Sequence, residues 1–268
     1  MGMTWDLAEA DTADAKQTVL LLPGGLCSAR SYAVLMAEPA LARTRLVAAT
    51  LPGHAGAPAL PDFSTDAYAQ AAAALAESVR ADVVVGFSMG AMVTYEMVVS
   101  GGFDGPVVLL GSSLSAADEP AAARAIFRLS SVLGTLPAAA LKKGAAAMVK
   151  KSALPPEQQQ QLRADFARTD SGDLRRALRA YLRWLRRNDN PARRLGAAGL
   201  PTWVIHAEKG DGALTSEERA ELQSYPQVHV ITLPGSVDFL PIERSADIAA
   251  VIVEALAAAS HARRSTET

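Results

Sequence analysis

The stretch Asp82-Val83-Val84-Val85-Gly86-Phe87-Ser88-Met89-Gly90-Ala91-Met92-Val93 decides the fold. A valine run suits a buried strand, a Gly-x-Ser-x-Gly turn follows it at once, and the apolar residues after Met89 continue with helical length. Strand, tight turn and helix in that order hold the serine backbone under strain. The flanking glycines remove side chains that would collide with neighbouring elements, and the hydroxyl projects above the sheet edge beside a helix N-terminus. Ser88 is therefore the first candidate functional residue. The five-residue pattern takes its weight from this context, because glycine and serine alone recur by chance.

Outward from that turn, short apolar runs bounded by Gly or Pro alternate with longer segments of helical period. That rhythm belongs to a mostly parallel sheet flanked by helices. Strands are predicted at 18–23, 45–51, 82–87, 106–111, 201–207 and 228–233, and helices at 66–80, 89–100, 216–223 and 245–259. Thr215 with Glu218 three residues on reads as a capping box. Between 112 and 199 the strand-like runs stop, and Ala-, Leu- and Arg-rich helical segments follow one another at 121–133, 138–151, 156–168 and 173–187. We read this as a helical cap (112–199) inserted into an α/β core made of 1–111 and 200–268.

Upstream, Leu20-Leu21-Leu22-Pro23-Gly24-Gly25-Leu26 ends a strand in a glycine turn. Such a turn can donate a second backbone N–H to an oxyanion, the first coming from Met89. Gly25 and Leu26 are both candidates for that second donor. A single such donor contributes about a hundred- to a thousandfold in rate.

With Leu22-Pro23-Gly24-Gly25, Leu51-Pro52-Gly53-His54-Ala55-Gly56 and Gly86-Phe87-Ser88-Met89-Gly90 in place, the chain resembles the α/β-hydrolase superfamily over nearly its whole length, in the branch of small capped esterases and lactonases. The resemblance implies a loop-ordering role for His54. It also implies an acid after the penultimate strand and a histidine after the last. Asp211, in Glu208-Lys209-Gly210-Asp211-Gly212, is the candidate acid, with Glu208 as the alternative. The histidine is missing: Asp238 stands at its place in Pro234-Gly235-Ser236-Val237-Asp238-Phe239. His206, His229 and His261 do not occupy a replacing position.

An aspartate with pKa near 3.9 is a weak base at neutral pH, so ordinary serine activation is in question. If Asp211 and Asp238 face each other, one of them would acquire a raised pKa and handle a proton. The expected function is thus turnover of a small hydrophobic ester, thioester or lactone through a Ser88/Asp211/Asp238 site. A non-hydrolytic lyase, decarboxylase or cyclase, and a catalytically silent ligand-binding protein, are the alternatives.

The chain has 268 residues, half of them apolar, and a formal net charge of -2. That balance gives no reason to expect nucleic acid or an anionic membrane as partner. The acidic start, with Asp6, Glu9, Asp11 and Asp14, does not resemble a secretory signal, and the Ala-rich helical segments are interrupted by Glu77 or Glu254 short of the roughly 20 residues of a bilayer span. Cys27 is the single cysteine, which rules out an intramolecular disulfide and suits a reducing, cytoplasmic setting. Neither a Cys/His cluster nor a G-x-G-x-x-G pattern occurs, so neither a metal nor another cofactor is expected. A small-molecule substrate is expected, in an apolar pocket with residues such as Ile126, Phe127, Leu133, Met148 and Trp184 as its lining. Arg175, Arg179, Arg183 and Arg187 recur at i, i+4 on one side of the last cap helix, a basic face that would suit an acidic carrier protein or a carboxylate substrate.

Overall fold

The computed structural model describes residues 4–11, 14–116, 118, 136–210 and 214–266. A seven-stranded sheet runs β1 (Leu7–Ala10), β3 (Arg45–Ala49), β2 (Thr18–Leu22), β4 (Val83–Phe87), β5 (Val107–Leu110), β6 (Thr202–Gly210) and β7 (Val228–Val237) in spatial order. All neighbours pair in parallel except β1, which runs antiparallel along β3. The central strands are buried on both faces, with Val19–Leu22 and Val107–Leu110 at 0% exposure, which explains their unbroken apolar runs.

Helices cover both faces. On one lie α2 (Thr65–Val79) and α3 (Met89–Val99), packed over Leu20, Val84 and Leu109. On the other lie the short α1 (Ala33–Met36) and the long α10 (Ser245–Thr266), whose Ile248, Ile252 and Ala255 meet Val85 and Val108. Helix α3 is buried from Gly90 to Val98, as its lack of a polar face requires. Within α10 the window Ser245–Ala262 has mean hydropathy 1.3 and the length of a membrane span. One side of it is buried in this core, as in a helix of a globular domain.

Between β5 and β6 the described chain contains only helices: α4 (Leu136–Lys151), α5 (Pro156–Arg168), α6 (Ser171–Arg187) and α7 (Pro191–Ala197). Asp170 caps α6 by accepting from the Gly172 and Asp173 amides. The expected helix at 121–133 lies outside the described residues. After β6, α8 (Ser216–Gln223) begins with the expected capping box, Thr215 and Glu218 bonding reciprocally. The short α9 (Leu240–Glu243) follows β7.

Strands β6 and β7 run three and four residues beyond their predicted ends. Their register shifts between Ala207↔Leu233 and Lys209↔Ser236, so Pro234 and Gly235 together oppose Glu208. This is a β-bulge, with Gly235 at φ +92° and its amide donating to the Glu208 carboxylate at 3.0 Å. Pairing then resumes through Gly210↔Val237.

Candidate active site

Ser88 occupies the turn between β4 and α3 with φ 50° and ψ -111°, a conformation a non-glycine residue adopts only under constraint. The constraint is visible on both sides. The Ser88 amide donates to the Leu110 carbonyl at 2.9 Å, and its own carbonyl accepts from the Ala91 and Met92 amides. Side chains are impossible at the flanking glycines: a Cβ on Gly86 would lie 2.3 Å from the Gly90 carbonyl oxygen, and one on Gly90 would lie 2.0 Å from that of Leu22. The pattern Gly-x-Ser-x-Gly is thus a packing requirement of strand and helix crossing at contact distance.

Above Ser88 lies a cavity of about 250 Å³. Its floor is Gly25, Leu26, His54, Ser88, Met89, Gly111 and Ser113; its roof is Leu141 of α4 with Leu174, Ala177, Leu178 and Tyr181 of α6. The roof is almost wholly apolar and the floor carries the polar groups, a common division in small-molecule sites. The expected apolar lining is found, but from other residues. Met148 is 45% exposed, and Trp184 turns away to stack on Tyr181 and donate to Glu96. Ile126, Phe127 and Leu133 lie outside the described residues.

Of the candidate oxyanion donors, the Met89 amide opens helix α3, where no intrahelical acceptor exists. The Leu26 amide is already used: it donates to His54 Nδ1 at 3.1 Å. Gly25, one residue earlier, has an amide with no acceptor among the described residues, and a Cβ there would lie 3.5 Å from Met89 Sδ. Among the described residues, Gly25 and Met89 are thus the two candidates whose amides show no protein acceptor.

The turn carrying Gly25 is held from the helical segment. Asp165 of α5, fully buried, accepts from the Ser28 amide at 3.0 Å and the Ser28 hydroxyl at 2.6 Å. Gln161 and Arg168 hydrogen-bond its other oxygen at 2.9 and 2.7 Å. One turn further on, Thr169 Oγ1 accepts from the Ala55 amide at 2.8 Å, fixing the loop that carries His54.

Asp238 follows the last pair of β6 and β7 and is half-buried. Its amide and that of Phe239 both donate to the Glu243 carboxylate, at 2.9 and 2.8 Å, and the Phe239 ring packs against Phe87, the residue before Ser88. The histidine-loop equivalent thus lies against the elbow, yet the Asp238 carboxylate neither lines the cavity nor bonds to Ser88. Asp211 lies outside the described residues. Glu208 is exposed and engaged with Gly235. No hydrogen bond links the Ser88 hydroxyl to a described side chain.

His54 proves to be a wall of the cavity, buried to 1% exposure, with burial pushing its pKa down to about 4. Sequence signalled only a residue in a Pro-Gly-His turn; its place opposite Ser88 is a tertiary fact. His206, at the end of β6, bonds through Nε2 to the Ser112 carbonyl at 2.9 Å, and burial lowers its pKa as well. Nearby, Asp118 is pushed up to about 7 by burial and then by the adjoining Glu218. Among the described residues no cluster of His, Cys, Asp or Glu is arranged to hold a metal ion.

The arginines of α6 divide. Arg176 pairs with Asp173 and lies 4.4 Å over the Phe63 ring, while Arg183, Arg186 and Arg187 are exposed.

Comparison with known families matches residues 19–251 to the model described as the alpha/beta hydrolase family. No curated protein matches the chain. Among solved structures, the chain is similar to a thermophilic esterase from Thermogutta terrifontis, with TM-score 0.73, 19% identity, and 95% of this chain and 94% of that one covered. It is also similar to the enol-lactonase from Burkholderia xenovorans LB400, with TM-score 0.73, 15% identity, and 94% and 96% covered. A carboxylesterase structure from the thaumarchaeon Nitrososphaera gargenis aligns with TM-score 0.73 and 16% identity over 96% and 95%. At these identities the likeness establishes shared architecture.

Proposed function

The chain belongs to the α/β-hydrolase family, and from that membership we propose that it cleaves a small, apolar ester, thioester or lactone through Ser88. The observation that carries this reading is the strained Ser88 on the floor of a cavity of about 250 Å³, which Gly25 and Met89, whose amides show no acceptor among the described residues, also line. Ser88 Oγ attacks the substrate carbonyl, the carbonyl oxygen takes up negative charge between the two amides, and the C–O or C–S bond breaks. Water then releases the acid from the acyl-enzyme. The cavity is at the small end for ligand sites, which favours short acyl groups.

In this reading Asp238, paired with Asp211, takes the serine proton and returns it to the leaving group. Support comes from the register: Gly210 and Val237, the residues just before the two aspartates, are paired. Without a histidine as base, turnover is slow, since losing the base in the best-measured serine hydrolase series costs about a millionfold in kcat. The helices between β5 and β6 act as the cap, and the exposed arginines of α6 would serve a substrate carried as a thioester on an acidic protein.

One observation favours a second reading. The Ser88 hydroxyl has no described side chain bonded to it, which suits a site where serine only anchors a substrate, as in a lyase, decarboxylase or cyclase, or in a silent binding protein. The deciding experiment treats the protein with a fluorophosphonate probe and measures intact mass, with Ser88→Ala as control. A single adduct absent from the control supports the hydrolase. A folded protein that takes no adduct and turns over no p-nitrophenyl butyrate removes that reading in favour of the second.

A further inference from the structure

Four buried side-chain atoms lack a hydrogen-bond partner among the described residues: His54 Nε2, Ser112 Oγ, Asp118 Oδ1 and His206 Nδ1. Folded proteins leave few such groups, and each one calls for a ligand, a water or a function. Only His54 belongs to a residue that lines the Ser88 cavity.

The ring's other nitrogen fixes its chemistry. His54 Nδ1 accepts the Leu26 amide hydrogen, so its lone pair is occupied and the proton of the neutral ring must sit on Nε2. That excludes His54 as the missing base, because the only nitrogen left to it carries a hydrogen and has no lone pair to offer. Burial pushes the pKa to about 4, so the ring is neutral at pH 7. The backbone that carries the ring is fixed, the His54 amide donating to Leu51, the Ala57 amide to the His54 carbonyl and the Ala55 amide to Thr169, and the Leu26 bond to Nδ1 sets the ring itself. His54 Cε1, bonded to Nε2, lies 3.8 Å from where a Cβ on Gly25 would stand, alongside the free Gly25 amide.

We propose that His54 is a catalytic hydrogen-bond donor, its Nε2–H directed to the carbonyl oxygen of an ester, thioester or lactone above Ser88, as a third donor beside Gly25 and Met89. This rests on the reading of Ser88 as the reacting centre. A neutral imidazole gives its hydrogen bond without a proton transfer, so no charge is created or moved at His54. The arrangement also explains why Leu26 is not an oxyanion donor: its amide orients the ring that replaces it.

The test uses Ser88→Ala protein labelled with ¹⁵N at histidine and titrated with 4-phenylbutan-2-one, a ketone that presents the ester's carbonyl and cannot be cleaved. The His54 signals are assigned by their loss in His54→Gln. The expected result is a Nε2–H tautomer from pH 5.5 to 8, with its proton moving downfield as ketone is added. A Nδ1–H tautomer or an imidazolium at pH 7, or a Nε2–H unmoved at any ketone concentration, overturns the proposal. In kinetics, His54→Phe is expected to lower kcat/KM a hundred- to a thousandfold, mainly in kcat, while His54→Gln, which can both accept from Leu26 and donate, recovers at least tenfold. Equal losses in the two variants would mark a loop-ordering role and overturn the donor role. Fluorophosphonate labelling of the wild type separates the two levels: a labelled Ser88 with an unresponsive His54 defeats this inference alone, whereas an unlabelled Ser88 defeats the hydrolase reading.

Discussion

Replacing Asp165 by alanine should loosen the turn at Gly25–Ser28 from helix α5, which holds it, at a cost that can be worked out bond by bond. The Ser28 amide and hydroxyl, in a residue 1% exposed, would both lose their acceptor. A buried donor left unmade costs about 1–3 kcal/mol, so the pair costs about 2–6. The Arg168 bridge adds at most a few tenths, because that side chain is half exposed. A loss of about 4 kcal/mol at the centre of this range lowers Tm by roughly 10 °C in a chain of this size. Asp165→Asn can keep the one oxygen that accepts both Ser28 bonds, losing instead the acceptor of Gln161 and Arg168, and should cost less. Urea unfolding gives the stability, and the rate of fluorophosphonate adduct formation at Ser88 reports the turn. Both variants should label more slowly than wild type at a urea-free temperature where they remain folded. A stability change under about 1 kcal/mol for Asp165→Ala, with labelling unchanged, would refute the clamp.

Acid should weaken the fold through His54. Its folded pKa near 4 lies below the 6.5 of the unfolded chain, so the unfolded state binds the extra proton and stability falls as pH drops from about 6.5 to 4, by up to about 3 kcal/mol. His54→Gln should flatten that part of the urea-midpoint profile; an unchanged slope would contradict the neutral, buried ring. Gly90→Ala should abolish soluble, folded protein, since its Cβ would meet backbone oxygen at 2.0 Å, and circular dichroism together with yield will show it. Asp238→His should raise p-nitrophenyl butyrate hydrolysis at least tenfold at pH 8 if the loop braced by Phe239 and Phe87 faces Ser88. No gain in a folded variant would mean the loop points elsewhere.

The central strands were legible because burial on both faces leaves apolar runs cut off by Gly or Pro. Strand β1 was not, since Leu7-Ala8-Glu9-Ala10 is a four-residue edge strand with exposed and half-buried positions alternating and only one large apolar side chain. The ends of β6 and β7 were read as turns because Glu208–Gly210 and Pro234–Gly235 carry turn residues, and pairing across a bulge leaves no periodic mark. Helix α7, seven residues opening on Pro191, was too short to show a period. The elbow and its glycines were legible in full, because their chemistry is local. His54 was read as structural, and it does order Leu26, but a wall shared by residues 28 positions apart cannot be seen from either one. Likewise, the engagement of the Leu26 amide with His54 Nδ1 leaves no mark in the sequence around either residue.

The bulge at Pro234-Gly235 has a consequence for how this edge of the sheet tolerates insertions and deletions. Side chains alternate faces along a strand, so an extra residue in regular pairing would invert everything after it; here two positions of β7 stand against Glu208, and Ser236 pairs with Lys209 as if none had been added. Deleting a single codon there would not merely shorten a loop. It would remove the bulge, its local bend and the bond from the Gly235 amide to Glu208, while the pairs beyond it could keep their partners on β6. Distances along this strand are therefore counted from the bulge, and any chain aligned with it by residue count alone would be one position out of step after Leu233.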